Sequence, residues 1–375
     1  VYRPIAAKPS RFAVAQVKES DAMSGNQASK IDNPVLIDVT RDPADGSRVF
    51  VESFHRGAIA VVDAAGRTLV AVGDVDRHIC PRSTLKPLQA LAFLESGAMD
   101  EFDLGEAEAA LSASSHSGEP LHVQAIAAWL KKIDCSLDQL ECGAHLPFHH
   151  QSAQEILASG KTANALHNNC SGKHAGFMSL ARVMGVDVAG YTSPDHPVQT
   201  RVAAILSEML DFDVTTSRVG ADGCAAPNYS MPLKVLAHGL ARMARTESLV
   251  PARAGAAATL LSAVHDNPLL IAGTGRPCSV LSASLKAPGF VKSGAEGVFG
   301  AILPETGLGV AIKVDDGAAR AASMILANVL DRLGVLDRGS KPVEDILAQA
   351  ILNARGDRVG TIRPSEHWES VNFGV

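Results

Sequence analysis

A chain of 375 residues, 46% hydrophobic and 20% charged, can bury a substantial core and has the composition of a folded globular protein, which excludes wholesale disorder. Its formal net charge of −6, with no stretch dominated by Lys and Arg, speaks against a nucleic-acid surface. Apolar runs such as Leu88 to Leu94 are far too short to span a bilayer, and six cysteines are too sparse for a disulfide framework.

The segment from Val1 to about Lys30 is polar and lacks both the apolar stretch and the small-residue cleavage site of a secretory signal. A loosely ordered extension is expected over residues 1–32, with Met23 as an alternative start, and reduced thiols in a cytoplasmic protein. Ala58 to Val62 and Thr68 to Val72 are β-branched runs flanking Asp63-Ala64-Ala65-Gly66-Arg67, the pattern of a hairpin. Helical spacing follows over Leu88 to Leu94, Leu121 to Lys132, Ala175 to Val183, Val198 to Leu210, Leu233 to Ala244 and Ala252 to Val264. Pro197 and Pro232 stand where helices start. Strands return with a loose alternation over Cys278 to Leu285, then Phe290 to Lys292, Val298 to Leu303 and Leu308 to Val314. Helices are expected over Ala318 to Leu333 and Val343 to Asn353. The order of strands, helical block, strands and helix predicts an α/β (α+β) protein. Residues 33–85 and 270–375 would form a discontinuous α/β domain, with a mainly helical domain, 86–269, inserted and a site in the cleft between them.

Four stretches carry candidate chemistry. In RSTLKPLQA, Ser83 stands three residues before Lys86, so on a helix the amine can reach the hydroxyl. A lysine of depressed pKa would then activate a serine nucleophile, as in S-x-x-K acyl-transfer enzymes. The plain alternative is a helix cap beside a solvated lysine, and a helix starting at Pro87 would leave Lys86 outside it. In SSHSGE, Ser117 or another hydroxyl caps the helix beginning near Glu119, or one of these hydroxyls is a second one in the cleft. In NNCSGKHAG, Cys170 and His174 lie at i and i+4, and with Asp222 and Cys224 would make a tetrahedral zinc set. Cys170 as a nucleophile with His174 as its base, or a structural polar turn, are the other readings. Lys313, in the otherwise apolar strand Leu308 to Val314, is either on an exposed strand face or a buried base or electrostatic element.

RSTLKPLQA, SSHSGE, NNCSGKHAGFM, SPDHPVQ, GADGCAAP, KSGAEGVFG and LGVAIKVDDG occur in this order. Together they resemble the bacterial L-asparaginase II family, the Rhizobium-type (class 3) asparaginases, from about Phe54 to about Gly334. The resemblance implies a serine β-lactamase/glutaminase-like fold, with a mixed antiparallel sheet flanked by helices beside a helical domain. It also implies hydrolysis of the side-chain amide of L-asparagine to L-aspartate and ammonia. Carried over residue by residue, it implies one Ser-Lys pair at Ser83 and Lys86, a second at Ser115 and Lys313, and a zinc site of Cys170, Lys173 and Cys224 with Asp222 close by through water. Lys173 thereby replaces His174 as the ligand, and Arg82, His174 and Asp222 are expected to contact substrate, Arg82 through the α-carboxylate unless its role is a surface or structural one. No organic cofactor is expected. Another Ser-Lys amidohydrolase on the same scaffold, a zinc-dependent amidohydrolase and a non-catalytic amino-acid-binding protein are the alternatives. A homodimer is the usual expectation for an enzyme of this size.

Overall fold

The computed structural model describes residues 32–43 and 46–373, so the extension expected over 1–32 lies, apart from Asp32, outside the described residues. The chain opens with β1 (Val35–Arg41), β2 (Phe50–Asp63) and β3 (Thr68–Val72). The predicted hairpin is β2–β3, with Gly66 at φ +83° in its turn, a left-handed position that favours glycine. Two short pairs follow among the helices: β4 (His78–Ile79) with β7 (Met231–Pro232), and β5 (Val219–Ala221) with β6 (Pro227–Tyr229). The C-terminal part supplies β8 (Phe290–Ser293), β9 (Val298–Leu303), β10 (Leu308–Val314), β11 (Gln349–Leu352) and β12 (Arg358–Pro364).

The main sheet runs β11-β12-β1-β2-β10-β9-β8, with β3 also on β2, and every pair is antiparallel. The long strand β2 joins its two halves. Residues 50–56 pair with β1, whereas 57–63 pair with β10 and, over 59–62, with β3. Sequence explains the division. Ala58 to Val62 is apolar throughout and wholly buried, whereas Phe50 to Phe54 is exposed.

Helices at Lys86–Leu94, Pro120–Lys132, Ser171–Val183, Pro197–Leu210 and Pro251–Asp266 come from the middle of the chain, close to their predicted spans. Leu233–Ala244, predicted within that same block, packs on β2, β9 and β10 of the sheet. Its approach depends on Gly309, where a Cβ would lie 2.0 Å from the Ala237 carbonyl oxygen. After the sheet's central strands, Ala319–Arg332 packs against β9 and β10.

Two predicted elements are corrected. Cys278 to Leu285 is no strand: Pro277–Ala283 is a helix, with buried Cys278, Leu281 and Ser282 at helical spacing and Pro277 in the first turn. The helix expected over Val343 to Asn353 stops at Leu347, because Gln349–Leu352 is drawn into β11 by pairing with β12. The fold is the predicted α/β one, an antiparallel sheet flanked by helices.

Candidate active site

Ser83 sits in a 3₁₀ turn, Arg82–Leu85, that runs directly into the helix Lys86–Leu94. Pro87 lies in that helix's first turn, where a missing N–H removes no hydrogen bond. Ser83 and Lys86 therefore lie on one continuous helical path. The turn is braced on both sides. Arg82 adopts φ +51°; its backbone N–H donates to Asn228 Oδ1 at 3.3 Å and its Nε to Asp222 Oδ1 at 2.8 Å. The end of β8 closes from the other side through Gly294, where a Cβ would fall 2.6 Å from the Pro81 carbonyl oxygen. Of the two roles expected for Arg82, the bond of its Nε to Asp222 is a structural one.

Lys86 is fully buried, and its amine donates to Ser115 Oγ at 2.9 Å and to the Ser114 carbonyl. The Ser83 hydroxyl makes no hydrogen bond among the described residues and opens, with Ser115, onto one cavity of about 570 Å³. Ser115 is fixed by its own loop. Its N–H donates to the Ile271 carbonyl at 2.8 Å, while Glu119 accepts from Ser117 Oγ at 2.7 Å and from Thr274 N and Oγ1, both at 2.8 Å. Ser117 therefore caps no helix, but ties Glu119 into the loop.

The second lysine on Ser115 is not Lys313. Lys292, on β8, donates to Ser115 Oγ at 2.8 Å and to the Ser293 carbonyl at 2.7 Å. Lys313 lies at the far end of β10, where its amine donates to the Val314 carbonyl beside the charges of Arg77, Asp315 and Glu296. Burial pushes the Lys292 amine down to about 7, and the neighbouring Lys86 and Arg276 charges act in the same direction against an opposing pull from Cys278. Sequence reasoning missed Lys292, although Lys292-Ser293-Gly294 on a strand matches the K-T-G element that accompanies S-x-x-K in acyl-transfer enzymes.

Behind the serines, Cys170, Asp222 and Cys224 bring their ligand atoms within 4.8 Å of one another. The two segments meet because Cys170 caps the helix Ser171–Val183 while Asp222 and Cys224 occupy the β5–β6 turn. Lys173 Nζ donates to Cys224 Sγ at 3.1 Å. The hydrogen bond from Cys170 and the Lys173 charge hold the Cys224 thiol well below its ordinary range, and the same bond raises Cys170. Lys173 is raised despite its burial by the charges of Cys224, Cys170 and Asp222. Two thiols, a carboxylate and an amine around one point are a donor set that fits a tetrahedral divalent ion, provided Lys173 gives up its proton. His174 stands apart from this group. It is buried, bonded through Nδ1 to the Tyr191 hydroxyl at 2.7 Å, and lowered to about 3, first by burial and then by Lys173. It is not on the cavity wall, so the expected substrate contact is not made there.

Chemically, the cavity offers two hydroxyls, two buried amines that both meet Ser115, one of them lowered to about 7, and a thiol–carboxylate–amine cluster. That is the equipment of acyl transfer from an amide.

Among solved structures, a β-lactamase from Mycobacterium bovis is 17% identical over 74% of this chain and 94% of its own, with a TM-score of 0.37. Mglu, crystallised in its native form in 4.3 M NaCl, is 16% identical over 76% of this chain and 63% of its own, TM-score 0.42. The simvastatin synthase LovD from Aspergillus terreus is 12% identical over 72% and 88%, TM-score 0.35. These superpositions are partial. No curated protein matches the chain by sequence. The model of the L-asparaginase II family, by contrast, matches residues 46–364, from four residues before β2 to the end of β12 and through every site segment described above. With that span matched, the chain belongs to the L-asparaginase II family, a family of amidohydrolases.

Proposed function

We propose that the protein is an L-asparaginase that hydrolyses the side-chain amide of L-asparagine to L-aspartate and ammonia through an acyl-enzyme on Ser83. The observation that carries this reading is the Ser115 hydroxyl held between the amines of Lys86 and Lys292, on the cavity onto which the unbonded Ser83 hydroxyl opens. With Lys292 neutral, the Ser115 O–H donates to it while the Ser115 oxygen accepts from Lys86. One proton shifted from Lys86 through Ser115 to Lys292 leaves Lys86 neutral. Lys86 then takes the Ser83 proton as Ser83 Oγ attacks the amide carbonyl. Backbone N–H groups beside Ser83 stabilise the oxyanion, and Lys86 returns its proton to the departing ammonia. Lys86, neutral again, takes a proton from the attacking water and returns it to Ser83 Oγ as the β-aspartyl ester breaks, and the proton held by Lys292 then passes back through Ser115 to Lys86. Asp222, the one carboxylate among the described lining residues, accepts the substrate α-ammonium.

Cys170, Lys173 and Cys224, with Asp222 alongside, would hold a zinc ion, which when bound adds positive charge and Lewis acidity to that wall. The contacts of both lysines with Ser115 favour one other reading, with Ser115 as the nucleophile and Lys292 as its base.

Ammonia release from L-asparagine, L-glutamine and a β-lactam, measured for wild type, Ser83→Ala and Ser115→Ala, tests the reading. Mapping an acid-quenched ester by mass spectrometry locates the nucleophile. Asparagine is expected as the preferred substrate, with the ester on Ser83 and a loss of at least about 10³-fold in Ser83→Ala. An ester on Ser115 moves the nucleophile there. Near-wild-type turnover by Ser83→Ala, abolished by chelation, replaces the acyl-enzyme with a metal-activated water.

A further inference from the structure

Three arginines and one aspartate line the cavity among the described residues: Arg82, Arg276, Arg320 and Asp222. Asp222 pairs with Arg82 at 2.8 Å. Arg320 donates through Nε to His55 Nε2 at 3.1 Å, and His55 Nδ1 meets Asp316 at 2.6 Å, so that charge is tied into a network containing an acid. Arg276 has no such arrangement. Among the described residues its side chain makes no ion pair and no hydrogen bond, and its guanidinium lies 5.9 Å from the centre of the Phe148 ring, another cavity residue.

Arg276 also stands near the chemistry. It immediately precedes Pro277 and Cys278, both on the wall, and Cys278 Sγ lies 3.0 Å from Ser293 Oγ and 3.1 Å from Ser293 N. Ser293 follows Lys292, whose amine is on Ser115. The Arg276 charge is felt at that amine, which it helps to keep deprotonated. A guanidinium with all five donors uncommitted, beside buried amines and without a protein acid, is matched by a planar anion that can accept two parallel N–H bonds.

We propose that Arg276 anchors the α-carboxylate of the substrate, restricting the cavity to amides of free α-amino acids. The proposal rests on the asparaginase reading and deepens it: Asp222 and Arg276 would hold the two charged ends of the amino acid while its side-chain amide faces Ser83.

The test compares wild type, Arg276→Gln and Arg276→Lys on L-asparagine and on 3-aminopropanamide, which is asparagine without its α-carboxylate. L-Aspartate binding is followed by calorimetry, and thermal melts check the fold. Arg276→Gln is expected to raise KM for asparagine about 10- to 100-fold and to weaken L-aspartate binding similarly, as for a lost charged hydrogen-bonding group. At pH 9, where Lys292 is neutral with or without the Arg276 charge, its rate on 3-aminopropanamide, already low in wild type, should not change, and Arg276→Lys should recover only part of the loss on asparagine. An unchanged asparagine KM in a folded Arg276→Gln overturns the proposal, as does an equal loss on both substrates. If Arg276→Gln does not fold, Arg276→Lys decides in the same way: an unchanged KM overturns the anchor. Should wild type release no ammonia from asparagine, the asparaginase reading fails by itself. L-Aspartate binding that depends on Arg276 would still support the anchor, and binding that is absent or indifferent to Arg276 would overturn it.

Discussion

Lys292 holds an amine in a place where its charge is poorly solvated. Because burial lowers its pKa to about 7, the neutral form that can accept the Ser115 proton grows as pH rises through 7. On asparagine, kcat/KM should therefore climb between about pH 6 and 8 and level off above. Lys292→Met should lose about 10³-fold or more in kcat/KM, while Lys313→Met, with its amine on the Val314 carbonyl, should stay within a few-fold of wild type. An equal loss in both would return Lys313 to the site. Most of the candidate site's placement was legible at this scale. Ser83, Ser115, Cys170, Asp222 and Cys224 all face the one cavity, with Lys86 and Lys173 buried against them. The choice between two mid-strand lysines was not legible, because it turns on register. Lys292 pairs with Gly300 and reaches Ser115, whereas Lys313 pairs with Ala58 and Val298 and reaches the Val314 carbonyl, beside the charges of Arg77 and Asp315. Nothing local to either lysine states its strand partner.

At the scale of elements, the helix Leu233–Ala244 lies so close to β10 that the strand tolerates no side chain at Gly309. A Cβ there would lie 2.0 Å from the Ala237 carbonyl oxygen and 2.3 Å from the Ala241 nitrogen, both backbone atoms that cannot swing aside. Gly309→Ala should lower stability by at least about 2 kcal/mol through overpacking, read as a drop in the urea midpoint at unchanged slope. An unchanged midpoint would mean that the helix shifts freely on the sheet. Helices with a clear apolar face and a proline or cap at their start were legible almost to the residue, as Leu233–Ala244 and Leu308–Val314 show for helix and strand. Short segments were not. In Gln349–Leu352 the local preference continues a helix, and only β12, brought alongside by the tertiary fold, converts it to a strand.

At the scale of the whole molecule, His116, His122 and His174 are buried and lowered below their ordinary range, each first by burial. In the unfolded chain these rings take up protons near pH 6.5, while in the native state they resist it. The unfolded form thus binds more protons below about 6.5, and stability should fall as pH drops from there toward the depressed native values. Urea midpoints at pH 7.5, 6 and 4.5 should decrease in that order, and a flat series would show that these rings do not stay neutral in the native state.

The division of β2 between two sets of partners also has a cost in time. Ile59 pairs with Ile312, a residue 253 positions further along the chain. At a synthesis rate of about 5–20 residues per second, the apolar half of β2 would leave the ribosome roughly 13–50 s before the strand that covers it. Until then that run has the β3 hairpin and, once it has emerged, the helix Leu233–Ala244 to shelter it, but no partner along its β10 edge. Every lysine, serine and cysteine of the site is translated inside that interval. The candidate site is therefore complete only when the sheet closes around it, and a nascent chain that already carries these side chains lacks the assembled cavity to the end.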